Sequence, residues 1–113
     1  MTNEEKVKRH AEICEMLTNT YQKKNHDYGD SFHILFMEEG YAALRIRLSD
    51  KLNRFKTLTK KAEKNSDISV TLVTDESITD TVLDLANYAI MTFMELEELE
   101  KRERMKAENE GIH

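Results

Sequence analysis

At 113 residues and a net charge of −5, the chain has the size of one domain and the wrong sign of charge for binding a phosphate backbone. It has no proline and three glycines, so little in it interrupts long helices. Cys14 is the only cysteine, which excludes an internal disulfide and points to a reducing compartment.

The N-terminal MTNEEKVKRH has no apolar h-region, and no apolar run approaches the roughly 18 residues of a membrane span. The sequence therefore predicts a cytoplasmic protein with no membrane contact and no direct nucleic-acid binding. A first helix is predicted over about 3–24. Thr2 and Glu5 have capping-box spacing, with Asn3 as an alternative cap. Val7, Ala11, Cys14, Leu17 and Tyr21 recur every three or four residues, and Ile13 and Met16 widen that face. Cys14 on this stripe reads as a core residue. Residues 25–31 are rich in turn formers (Asn25, Asp27, Gly29, Asp30, Ser31) and read as a loop. Ser31 then caps a short helix to about Glu39, stopped by Gly40. His26 and His33 have no zinc spacing with a cysteine and read as surface or packing residues.

A second long helix is predicted over about 41–63. Leu44, Leu48, Leu52, Phe55 and Leu58 form its apolar stripe, and Arg45, Arg47, Lys51, Arg54 and Lys56 make it basic. Within 64–73, Asn65, Ser66 and Asp67 read as a turn. ISVTLV (68–73) has strand propensity but no partner strand, so it reads as an extended linker. A third helix starts near Asp75, with Thr74 or Asp75 as cap, and runs to about Glu108. Its first half is apolar on a broad arc of Ile78, Val82, Leu83, Leu85, Ala86, Ala89, Ile90 and Phe93, which predicts burial on more than one side. Its second half, ELEELEKRERMKAENE, reads as a solvated extension or a subunit contact. The fold class is all-α, three long helices and a short one. It forms a single domain over 1–113, with a core of about 3–94 and a charged helical tail over 95–113. A domain this small covers the broad arc with difficulty, which predicts completion of the bundle by oligomerisation.

The segment DESITDTVLDLANY carries the chemistry. Glu76, Asp80 and Asp84 are spaced i, i+4, i+8 and so share an arc of about 80° on one helix face, with Asn87 inside it. Acids amid apolar residues need a positive partner. Two partners stand open: a hard divalent cation, Mg²⁺ or Mn²⁺, or the second helix itself through Arg47, Lys51 and Arg54. On the second reading the stripe is an internal salt-bridge network. On the first, Asp50 is a further ligand, while Arg47, Lys51 and Arg54 hold phosphates.

Three strings, KKNHDYGDSF (Lys23–Phe32), IRLSDKLNRFKTL (Ile46–Leu58) and DESITDTVLDLANYAIM (Asp75–Met91), resemble the nucleotide modification associated domain 1 family. That family is common in phages and prophages and is related to the MazG-like all-α NTP pyrophosphatases. The resemblance spans about 20–92. It implies a MazG-like helical bundle that forms a homodimer or homotetramer in a bacterial or phage-infected host cell. It also implies Mg²⁺-dependent handling of nucleoside triphosphates, with water cleaving between the α- and β-phosphates to give (d)NMP and pyrophosphate. The superfamily pattern, Glu-x-x-Glu on one helix and Glu-x-x-Asp on the next, is met here by Asp50 with Asn53, and by Asp84 with Thr81 where a Glu is expected. Asp80 lies one residue upstream of Thr81, and Glu76 a turn before.

The leading expectation is thus a metal-dependent (d)NTP pyrophosphohydrolase. Asp50, Glu76, Asp80 and Asp84 bind the metal, and Asp50, Asp80 and Asp84 carry the catalysis. Arg47, Lys51 and Arg54 hold phosphates, and Asn87, Tyr28 and Asp30 contact sugar or base, Tyr28 by stacking. Two alternatives stand beside it: a nucleotide-binding module without chemistry, and a helical interaction module.

Overall fold

A computed structural model describes residues 1–64 and 76–111 of the chain. Among these residues there are four α-helices and no strand: α1 (Asn3–Lys24), α2 (Ser31–Glu39), α3 (Tyr41–Lys64) and α4 (Glu76–Gly111). The expected linker at 68–73 and the expected caps Thr74 and Asp75 lie outside the described residues. No described helix is long and apolar enough to cross a membrane.

The N-terminus of α1 is capped as its sequence requires. Thr2 Oγ1 accepts from the Glu5 N–H at 3.2 Å, and Glu5 Oε2 accepts from the Thr2 N–H at 3.3 Å. This satisfies two of the donors a helix start leaves open. Residues 25–31 are a correction to the expected loop. His26–Asp30 is a π-helical turn that joins α1 to α2 without a break, with Asn25 (φ −53°, ψ −39°) and Ser31 (φ −63°, ψ −38°) both helical. The N–H groups of Gly29 and Asp30 both donate to the Asn25 carbonyl at 2.9 Å. Because the backbone stays helical, Ser31 is an interior residue and makes no cap. The widened turn rotates Tyr28 inward, where it is buried. Gly40 ends α2 as expected, at φ +68°, where glycine meets no Cβ penalty.

The core is small. Tyr28, Phe32, Phe36, Ala43, Leu44 and Met91 form one buried cluster, with Tyr21, Leu35, Tyr88 and Leu99 packed on it. Phe32 meets Tyr88 edge-on at 5.4 Å between ring centres. α3 runs antiparallel to the first half of α4, since Lys51 reaches Asp84 and Arg54 reaches Thr81 further down. α2 lies along the second half of α4. His33 donates through Nδ1 to the Glu95 carboxylate at 2.8 Å, and Arg102 Nη1 donates to Met37 Sδ at 3.2 Å. The expected solvated extension therefore packs on one side as far as Arg102. Beyond it the residues of α4 to Gly111 are exposed, and the molecule is elongated, with extents of 68 × 34 × 24 Å.

Three further expectations change. Cys14 is exposed, as are Val7 and Ala11, because α1 meets the rest of the chain through its second half, at Leu17 and Tyr21. On α3, Leu52 is exposed while Leu44 is buried. The broad arc of α4 is covered on one side. Ile78 and Met91 are buried, but Val82, Ile90 and Phe93 remain exposed, Phe93 at 65%.

Candidate functional site

The site is a cleft of about 320 Å³ between the second half of α1 and α4, with the π-helical turn at one end. Met16, Leu17, Thr20 and Lys24 come from α1, Tyr28 from the turn, and Asp80, Leu83, Asp84 and Asn87 from α4. The i, i+4 spacing of Asp80 and Asp84 places both carboxylates on the cleft wall, one turn apart.

Asp84 is the centre of the arrangement. Lys51 of α3 places Nζ 2.7 Å from Asp84 Oδ2, and the Tyr28 hydroxyl donates to Oδ1. The Lys51 ammonium also lies 5.3 Å from the centre of the Tyr88 ring, within cation–π range. Tyr28 and Tyr88 pack at 5.0 Å between ring centres. Burial, then the hydrogen bond to Asp84, then the charge of Asp84 push the Tyr28 hydroxyl far above the ordinary tyrosine range.

That shift predicts an alkaline effect. The unfolded chain releases this proton near pH 10, the folded chain keeps it, so the native state binds more protons and loses stability as pH rises above that value. Chemical denaturation of wild type and Tyr28→Phe between pH 9 and 11 should show the wild type falling faster, by up to about 1.4 kcal/mol per pH unit. Parallel profiles would place the hydroxyl in water.

The other residues singled out from sequence divide clearly. Asp80 is exposed at the cleft mouth. Asp50 and Arg47 are exposed on α3 and are not part of the cleft lining. Glu76 is the first residue of α4, and its side chain lies outside the described residues. Arg54 turns its Nε to Thr81 Oγ1 at 3.2 Å, and Thr81 in turn donates to the Ser77 carbonyl at 2.6 Å. Among the described residues the salt-bridge alternative is realised for the pair Lys51–Asp84.

Tyr28, expected to stack on a base, instead belongs to the core at 8% exposure and shows the cleft its polar end. Asn87 is buried, and its amide donates to the Leu17 carbonyl at 3.2 Å, so it ties α4 to α1 beneath the cleft. Asp30 is exposed, with His26 Nδ1 3.9 Å away. Among the described residues, no group of three or more His, Cys, Asp and Glu converges as a metal cage.

Sequence reasoning missed Lys24 and Thr20. Both line the cleft from the last turns of α1, and Lys24 brings a cation opposite the two carboxylates. The signal was present in KKNHDYG, where Lys24 lies one turn before Tyr28. It missed Tyr88 as well, one turn after Asp84, whose ring carries Lys51.

No curated protein and no solved structure matches the chain. The sequence model of nucleotide modification associated domain 1 matches residues 24–96, which takes in the π-helical turn, α2, α3 and the half of α4 that bears Asp80, Asp84 and Tyr88. The chain belongs to the nucleotide modification associated domain 1 family.

Proposed function

We propose that this domain binds a nucleoside triphosphate through a divalent cation at Asp80 and Asp84, and hydrolyses it to (d)NMP and pyrophosphate. The observation that carries this reading is the meeting of two carboxylates with Lys24 and Tyr28 around one cleft, with Lys51 paired to one of the two carboxylates. Mg²⁺ takes one or two carboxylates and fills its remaining positions with water and phosphate oxygens. Two aspartates one turn apart on one wall fit that donor set. Bound there, Mg²⁺ or Mn²⁺ supplies polarisation of phosphoryl oxygens and a more acidic water.

The chain's own residues do the rest. Lys24 lines the cleft from α1, Lys51 stands at Asp84 from α3, and both bind phosphate oxygens as point charges. Tyr28 orients the Asp84 carboxylate, and Met16 and Leu17 on the α1 wall and Leu83 on the α4 wall supply apolar lining. Arg47 and Arg54 lie about one turn to either side of Lys51 on α3 and bind the outer part of a phosphate chain. The test is pyrophosphate release from the ribo- and deoxynucleoside triphosphates with Mg²⁺ or Mn²⁺. Turnover that scales with protein and disappears with EDTA is expected; turnover untouched by EDTA would rule out the metal.

A second reading, a binding module without chemistry, is favoured by one observation: among the described residues two carboxylates, rather than a larger cluster, line the cleft. It is distinguished by metal-dependent nucleotide affinity with no pyrophosphate released from any triphosphate.

The exposed arc of α4 supports a homodimer or homotetramer as the working form. Val82, Ile90 and Phe93 are exposed within one chain, and a second copy removes them from water. Phe93→Glu is expected to shift sedimentation to monomer without loss of helical circular dichroism, since Phe93 supports little inside its own chain. A wild type that sediments as monomer at high concentration would exclude this interface.

A further inference from the structure

Both oxygens of the Asp84 carboxylate are engaged from within the chain. Tyr28 donates to Oδ1, and Lys51 Nζ lies 2.7 Å from Oδ2. The two partners differ in how firmly they are held. Tyr28 is a buried ring packed on Tyr88. Lys51 carries its ammonium on a flexible four-carbon stem, with 28% of the side chain exposed.

A divalent cation needs an Asp84 oxygen at about 2.1 Å. An ammonium at hydrogen-bond distance from Oδ2 competes with it for that oxygen, since the two positive charges repel at such short range. The Tyr28 ring is held by the core and keeps its hydroxyl on Oδ1. The ammonium, in contrast, can swing, and the strongest alternative partner a cleft ligand can offer it is a phosphate oxygen.

We propose that Lys51 is a gate on Asp84: in the ligand-free chain its ammonium holds the carboxylate oxygen that the metal requires, and an entering phosphate chain draws it away. The proposal rests on reading Asp84 as a metal ligand. Metal and phosphate chain then favour each other's binding, and by linkage each does so to the same degree. The gate keeps Asp84 paired when no nucleotide is present. Arg54 is the internal contrast, because its Nε is on the Thr81 hydroxyl and, among the described residues, it pairs with no carboxylate.

The test is calorimetric titration of the full chain with Mn²⁺ alone and, separately in EDTA, with inorganic tripolyphosphate. Wild type, Lys51→Met and Arg54→Met are compared. Asp84 is a third exposed, so water hydrates it in Lys51→Met and the fold holds. Lys51→Met is expected to bind Mn²⁺ about tenfold more tightly than wild type and tripolyphosphate about tenfold more weakly. Arg54→Met is expected to move Mn²⁺ affinity far less. Equal Mn²⁺ affinity in wild type and Lys51→Met would overturn the gate and leave the metal site standing. So would an equal gain in Arg54→Met, which would reduce the effect to loss of one positive charge. Absence of Mn²⁺ binding in all three proteins would overturn the metal reading itself, and the gate with it.

Discussion

Asp84→Ala is expected to lose pyrophosphate release by at least about a hundredfold, since removing even the outer partners of metal ligands costs ten- to a hundredfold. The variant also carries a structural cost. Asp84 accepts from the buried Tyr28 hydroxyl and pairs with Lys51, so alanine leaves a buried donor without an acceptor. That costs about 1–3 kcal/mol. Asp84→Asn separates the two effects. Its amide oxygen still accepts from Tyr28, but the negative charge that the proposed cation site requires is gone. Turnover should fall in both variants, while the melting temperature falls further in the alanine variant. Full turnover in the asparagine variant, with the fold intact, would remove Asp84 from the chemistry.

Gly29→Ala is expected to destabilise the protein and weaken ligand binding together. Gly29 lies outside the left-handed region, so the cause is space and not conformation. A Cβ there would stand 2.4 Å from Asn25 Oδ1, 2.9 Å from the Tyr21 hydroxyl and 3.0 Å from Tyr21 Cε2. Asn25 Oδ1 is buried and Tyr21 packs on the core, so neither retreats freely. Overpacking of this kind costs about 1–3 kcal/mol. The strain falls on the turn that holds Tyr28 against Asp84, so nucleotide or Mn²⁺ affinity should drop as well. Asn25→Ala introduced into the Gly29→Ala chain removes the closest contact and should recover part of the stability. A Gly29→Ala protein with wild-type melting and affinity would show that the turn has room to spare.

The sequence by itself determined the helices, and for local reasons. Thr2 with Glu5 fixed the start of α1, Gly40 the end of α2, and the absence of proline the length of α3 and α4. The spacing of Asp80 and Asp84 fixed that they share a wall, because the helix repeat alone dictates it. The strings around Tyr28, Asp50 and Asp84 were enough to identify the family.

What each side chain faces was decided by tertiary structure. Turn-forming residues at 25–31 are equally compatible with a loop and with a π-helical turn, and packing of Tyr28 into the core selects the latter. Cys14 has the period of a core residue, but it is exposed, and at that height Ile13 and Met16 are the α1 residues that share a pocket with α4. Asp50 and Lys51 are neighbours in sequence, yet successive helix positions point about 100° apart, so one is in solvent and the other on Asp84. Lys24 and Asp84 lie 60 residues apart, and only the crossing of α1 over α4 brings them to one cleft. Helical period is a property of short stretches of chain, while the partner of a charge is set by contacts between helices distant in sequence.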